Sequence, residues 1–254
     1  MNAPAVALLL GRKGSKGLKD KNVLPLFGRP AYLYPLMAAE NSRHVTHTFV
    51  STDHGEIIEG CAKMGVENIE RPPELFTDAA LFEDALEHAY FEAKKRIGAE
   101  PAYVVTLMCN AVTVNAALID AAVDMLEADP EADSAVSVSV FNMYSPLRAR
   151  KLNSRGYLDP FVPFTAFGDP ANLSCDRGSQ GDAYFADMSH SVSRGRCLEN
   201  MAEGLLPQRW MGQKILPVVN GMGCDMDDPW QVDMSVRWLS EHGFSDTETP
   251  YDDK

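Results

Sequence analysis

The chain has 254 residues, 45% of them hydrophobic and 23% charged, which suits one large α/β domain with a full core and a small appendage and excludes disordered and collagenous compositions. A formal net charge of −13 disfavours nonspecific binding to nucleic acid or to anionic membranes. No apolar run approaches the ~20 residues that cross a bilayer, no signal-peptide pattern opens the chain, and the five scattered cysteines contain no C-x-x-C pair, so reduced, mostly buried thiols and a cytoplasmic address are expected.

In chain order, the short apolar run at 5–10 (AVALLL) ends at glycine, as a fully buried parallel strand does. Residues 30–40 carry apolar side chains at helical spacing, 46–53 (THTFVSTD) read as a second strand and 54–64 as a helix. A longer helix is predicted over 78–96 with Leu81, Ala85 and Ala89 on one face, then a buried strand at 102–108, a helix at 115–128 and a strand at 134–140. This β-α alternation predicts a mostly parallel sheet with helices on both faces, whose ligand lies at the carboxyl ends of the strands, near residues 11–22, 51–53 and 108–114. Periodicity fails from 141 to 183, where Pro, Gly, Asn and aromatic residues dominate; this stretch reads as an excursion that serves as a subunit contact, or as a solvent-exposed flap. The core resumes at 184–193 and closes with a strand near 214–219 and a helix at 229–242, so the core is assigned to 1–140 and 184–244, followed by a frayed acidic tail at 245–254.

Five of the chain's 23 basic residues crowd into positions 12–21 of the stretch LLLGRKGSKGLKDKN. Gly11, Gly14 and Gly17 leave room for backbone N–H groups to converge on an anion, and the cations supply counter-charge for a triphosphate. Neither G-x-x-x-x-G-K-[ST] nor G-x-G-x-x-G is present, so a solvated basic turn stays open. Far along the chain, Asp225 and Asp227 stand two apart, which in extended backbone aims both carboxylates at one hard cation, Mg²⁺ by preference; the same aspartates, Asp228 above all, could instead cap the last helix. Asp53, at the end of VSTD, is expected to cap the helix that follows. The histidines form no ligand cluster by spacing, and no nucleophile-base pair is legible.

GRKGSKGLKDKN, VSTD, RPPELFTDAA and CDMDDPWQVD together resemble the acylneuraminate cytidylyltransferase family, which includes the CMP-sialic acid and CMP-Kdo synthetases. The resemblance runs from residue 5 to about 242 and is weakest from 141 to 190. Its opening signature, [AG]-R-x-x-S-K-G followed by K-N, is supplied by Gly11, Arg12, Ser15, Lys16, Gly17, Lys21 and Asn22. The resemblance implies a Rossmann-like sheet of the nucleotide-diphospho-sugar transferase type, with 141–183 as a dimerisation arm in a homodimer. It implies that Arg12, Lys16 and Lys21 hold the triphosphate of CTP, with Ser15 and the loop amides beside them, and that Asn22 meets the ribose or base. Arg71 and Ala80 would line the cytosine, with Phe82 where the family usually has serine, and Asp225 and Asp227 would hold Mg²⁺. The implied reaction transfers CMP from CTP to an acidic acceptor and releases pyrophosphate.

Departures cluster on the acceptor side. The family's Q-P-T-S-P segment reads Met108-Cys109-Asn110-Ala111-Val112 here, which leaves Asn110 as the replacement donor. Arg177 and Gln180 are kept, and Asp187 stands where the family has asparagine. A site that loses donors to a substrate group rejects that substrate, so N-acetylneuraminate itself is not expected. Asp176, Asp182 and Asp187 suggest an acceptor bearing an amine as well as an acid, such as an amino-sugar acid or an aminoalkylphosphonate, unless they are solvated loop residues. A glycosyltransferase with a D-x-D metal site and a catalytically silent nucleotide sensor are the readings from other classes.

Overall fold

The computed structural model of the chain describes residues 4–14, 17–77, 79–176 and 181–252. Strand β1 (Ala5–Leu10) is buried along its whole length, and the period-two alternation of a strand splits its side chains between two cores. Ala7 and Leu9 pack with Leu36, Ile57 and Ile119 on one face, while Val6, Leu8 and Leu10 pack with Leu86, Tyr90 and Leu198 on the other. Each fully buried leucine contributes roughly 2 kcal/mol.

After β1 come the hairpin β2 (Pro25–Leu26) and β3 (Arg29–Pro30), α1 (Leu33–Glu40), β4 (Val45–Ser51), α2 (Gly55–Lys63), β5 (Glu67–Asn68) and α3 (Phe82–Ile97). Then follow β6 (Tyr103–Met108), α4 (Ala116–Ala128), β7 (Ser134–Val140), a second hairpin β8 (Arg150–Leu152) and β9 (Leu158–Pro160), β10 (Tyr184–Arg194), α5 (Gly195–Glu199), β11 (Ile215–Val219) and α6 (Pro229–Glu241). Seven strands form one sheet in the order β11-β7-β10-β6-β1-β4-β5. Strand β10 runs antiparallel to both β6 and β7, and the other pairings are parallel. Leu10, Ser51 and Met108 lie in register at the ends of β1, β4 and β6. The loops that follow therefore leave the sheet along one edge, the edge at which parallel sheets bind ligands.

Two helix starts differ from expectation for local reasons. The helix expected over 30–40 begins at Leu33, because residues 25–30 form a hairpin: Phe27 and Gly28 both have positive φ (43° and 69°), the backbone of a two-residue turn. Helix α3 starts at Phe82, with Glu83 and Asp84 in its first turn against the helix dipole. Leu81 therefore lies outside the helix and is exposed, and Phe82 packs against Trp210 in its place. The segment 141–176 folds into short 3-10 turns and the β8–β9 hairpin, leaving Tyr144, Leu152, Tyr157, Leu158 and Phe161 exposed.

The tail is docked, not frayed. Tyr251 packs edge-on to Phe244 and its hydroxyl accepts from the Ala116 N–H at 3.1 Å, at the first turn of α4. The Arg29 guanidinium donates to the Ser245 carbonyl at 2.6 Å. Aromatic burial outweighs the acidity of the segment. Tyr251→Ala should lower stability by about 1–3 kcal/mol, read as a drop in the thermal midpoint.

Candidate active site

A cleft of about 470 Å³ opens at the carboxyl edge of the sheet. One wall is the loop after β1, with Gly11, Arg12, Gly17, Lys21 and Asn22 lining the space. The loop is braced from outside the cleft: the Lys13 N–H donates to Asp53 Oδ1 at 2.7 Å, and the Asn22 side chain donates to the Arg12 carbonyl at 2.9 Å. Gly11 must be glycine, because a Cβ there would lie 2.6 Å from the sulfur of Cys109. The opposite wall carries Asp225 and Asp227. Met226 between them is fully buried among Trp238, Leu239 and Phe244, and this anchoring turns its two neighbours outward, toward the cleft.

The two walls touch. Lys21 Nζ is ion-paired to Asp227 Oδ1, and a Cβ on Gly17 would come within 2.9 Å of the Asp227 carbonyl. Burial raises the pKa of Asp225 above the usual carboxylate value, and the neighbouring Asp227 charge raises it further, against the pull of Lys21. Two adjacent carboxylate groups under that mutual repulsion are a donor set suited to a hard divalent cation, which would relieve it. A third, mostly apolar wall comprises Leu75, Ala80, Leu81, Phe82 and Ala85, with Arg71 at its base. The Arg71 guanidinium is buried and committed, its Nε donating to Ser51 Oγ at 3.1 Å and its Nη2 to Ser51 O at 2.5 Å, and burial lowers its pKa. Cations on one side, carboxylates on the other and a flat apolar slot beside them suit a nucleotide with its phosphates and a metal ion.

A model of the cytidylyltransferase family matches residues 6–154. This chain belongs to the cytidylyltransferase family. It is 34% identical over 89 residues to the N-acylneuraminate cytidylyltransferase of Escherichia coli O18:K1:H7, an alignment covering 35% of this chain and 21% of that protein. It is 31% identical over 74 residues, 29% of this chain and 14% of the other, to a Helicobacter pylori protein named as both a pseudaminic acid cytidylyltransferase and a UDP-sugar hydrolase. The matched segment is thus about a fifth or less of the length of these relatives. Among solved structures, a CMP:2-keto-3-deoxy-manno-octonic acid synthetase complexed with CTP superposes with a TM-score of 0.64 at 16% identity, covering 94% of this chain and 99% of that one. At that identity the likeness speaks for the fold.

Of the residues singled out by sequence, the fold brings Gly11, Arg12, Lys21, Asn22, Arg71, Ala80, Asn110, Asp225 and Asp227 to one cleft. Ser15, Lys16, Arg177 and Gln180 lie outside the described residues. Asn110 also clamps the carboxylate loop, its side chain donating to the Met226 carbonyl at 3.1 Å while its own carbonyl accepts the Met226 N–H at 3.0 Å. Asp53 does not cap α2, whose N-cap is His54; it holds the loop after β1 instead. Asp228 does cap α6, with Pro229 in the first turn. Of the four buried cysteines, Cys109 forms the floor under Gly11; Cys175 is exposed, and all five are free.

Asp187 departs from its expected role. It is buried, 7% exposed, and accepts from Ser139 Oγ at 2.8 Å and from the Ser189 N–H at 3.1 Å. It does not line the cleft. Asp182 is exposed and accepts from the Asn142 side chain, and Asp176 is exposed, whereas Asp187 is buried and off the cleft, so Asp187 does not join them in facing an acceptor. Close to Asp187 the chain buries His190, and burial pushes that pKa down to about 4 despite the Asp187 charge. The unfolded chain, with a histidine near pH ~6.5, takes up this proton first as pH falls, so stability is lost between about 6.5 and about 4. His190→Leu should remove about 2 kcal/mol of that loss between pH 7 and pH 5, measured as the difference in thermal midpoint from wild type at each pH.

Proposed function

We propose that this chain transfers CMP from CTP to an acidic acceptor, a 3-deoxy-2-keto sugar acid or a close relative, with release of pyrophosphate. The observation that carries this reading is the meeting of Lys21 with Asp227 across a cleft that Arg12, Asp225 and the apolar slot also line. An acceptor oxygen attacks the α-phosphorus, a new P–O bond forms, the bond to the β-phosphate breaks, and its electron pair leaves with pyrophosphate. Arg12 and Lys21, with Lys16 beside them in sequence, neutralise charge as it moves onto the leaving group. The backbone of Gly11 approaches the phosphates unobstructed because no side chain intervenes. The slot formed by Leu75, Ala80, Leu81 and Phe82 takes the base, with Arg71 holding its floor, and Asn22 and Asn110 fix the walls on either side. Asp225 and Asp227 would hold Mg²⁺, which when bound supplies charge neutralisation at the phosphate oxygens. The exposed aromatic side chains of 141–176 support a homodimer in which this segment meets the partner.

Purified protein incubated with each of the four ribonucleoside triphosphates, Mg²⁺ and a panel of sugar acids, their reduced non-acidic analogues and aminoalkylphosphonates tests this. Pyrophosphate release dependent on CTP and on an acidic acceptor is expected. Turnover that requires a sugar-nucleotide donor and liberates its nucleotide would point to glycosyl transfer, and binding of CTP without turnover on any acceptor would point to a sensor.

A further inference from the structure

We propose that Asp187 is a positioning residue for the metal-holding loop, setting how tightly Asp225 and Asp227 grip a divalent cation without touching it; this rests on the cytidylyl-transfer reading above. Strand β10 breaks its ladder with β7 between Ala186 and Ser191, and Met188 takes a positive φ of 61°. The bulge turns Asp187 into the protein beside Ser139, and from there its two carboxylate oxygens each start a relay. Oδ2 accepts from the Ser139 hydroxyl at 2.8 Å, and that hydroxyl oxygen accepts the Gly223 N–H at 2.9 Å. Oδ1 accepts the Ser189 N–H at 3.1 Å, and the Ser189 hydroxyl meets Thr113 Oγ1 at 2.7 Å. Thr113 Oγ1 in turn donates to the Cys224 carbonyl at 3.0 Å and accepts the Cys224 N–H at 2.9 Å. With its one hydrogen committed to Cys224, Thr113 must accept from Ser189. Both relays thus end on the two backbone units that immediately precede Asp225.

A second observation points the same way. A Cβ on Gly223 would overlap the Asp187 carboxylate, so the aspartate also fills the space against which the loop backbone rests. Among the described residues no lysine or arginine is ion-paired to Asp187. Burying a carboxylate with only neutral donors is costly; the chain from Oδ2 through the Ser139 hydroxyl to Gly223 polarises along its length, while Oδ1 fixes the Ser189 backbone and with it the hydroxyl that meets Thr113. The result is a loop whose 223–226 backbone is held at each residue but Asp225, by Ser139, Thr113 and Asn110. Its carboxylate groups are then presented to the cleft with little freedom to lose on binding an ion. Residues that orient metal ligands in this way change affinity when removed, by tenfold to a hundredfold.

The test is Mn²⁺ binding by the full chain, followed through the electron paramagnetic resonance signal of the free ion, for wild type, Asp225→Asn, Asp187→Leu, Asp187→Asn and Ser139→Ala. Asp187→Leu and Ser139→Ala should each weaken Mn²⁺ binding by about 10- to 100-fold. Asp187→Asn keeps an oxygen for Ser139 and should recover part of the loss, which a mere change of charge near the site would not do. If Asp187→Leu fails to give a cooperative melt, Ser139→Ala and Asp187→Asn carry the test. Wild-type affinity in Asp187→Leu or Ser139→Ala, or no recovery in Asp187→Asn, overturns the proposal while an Mn²⁺ loss in Asp225→Asn leaves the cytidylyl-transfer reading standing. Wild-type binding by Asp225→Asn, or none by the wild type, removes the metal from that reading and the proposal with it.

Discussion

Asp225→Asn is expected to lower CTP-dependent pyrophosphate release by about 10³-fold without lowering the thermal midpoint. The two halves of this expectation come from the same electrostatics. Burial and the Asp227 charge raise the pKa of Asp225, so at neutral pH the folded protein holds a strained carboxylate. Asparagine has the same shape and carries no charge, so it relieves the strain while removing a carboxylate proposed to hold a divalent ion. A site kept at a cost to stability for the sake of chemistry behaves in this way. Burial and the Asp227 charge raise the Asp225 pKa, so protonation would compete with a cation proposed to bind there, and lowering Mg²⁺ should shift the loss of activity toward higher pH. Initial rates at saturating CTP and Mg²⁺ from pH 4 to 8, with melting curves for both proteins, check both halves. A variant that loses activity and stability together would make Asp225 a structural residue.

Lys21→Ala is expected to cost about 10²- to 10³-fold in kcat/KM for CTP, and Lys21→Arg less. Lys21 is held on Asp227 at the mouth of the cleft, from the short helical turn that follows the basic loop. Its ammonium is held across the cleft by the ion pair with Asp227, which places it to follow charge onto a leaving pyrophosphate. Stability should barely change, because Asp227 is more than half exposed and exposed ion pairs contribute only ~0–1 kcal/mol. Arginine keeps the charge and can still pair with phosphate, but its longer planar fork cannot take the compact position of the ammonium on Asp227, so part of the loss remains. The steady-state constants and their dependence on ionic strength separate this loss from a loss of folding.

Much of this site could be read from neighbouring residues in the chain. AVALLL is apolar at every position, so its strand had to be covered on both faces, and the glycines and cations after it could only sit at a strand end. In the segment Asp225-Met226-Asp227 the alternation of acid, apolar and acid already states that one side chain goes in and two go out. The resemblance to cytidylyltransferases adds that these two short segments, 206 positions apart at Lys21 and Asp227, serve one ligand. The hairpin at Phe27 and Gly28 was hidden because Phe27 is not a residue that turn chemistry marks, and only its positive φ reveals the turn. The docking of Tyr251 was hidden by the acidic residues around it.

What sequence by itself determined is therefore the local chemistry: the alternation of strands and helices, the glycine-rich basic loop after the first strand, and the paired carboxylates. Tertiary structure alone decided the duties of Asp53, Asn110 and Asp187. Each carries the same polar groups whether it faces a ligand, caps a helix or braces a loop. Asp53 meets Lys13 across 40 positions, Asn110 meets Met226 across 116, and Asp187 meets Ser139 across 48. Periodicity reports which face of its own element a residue occupies, and a hydrogen bond depends on what another element brings to that face.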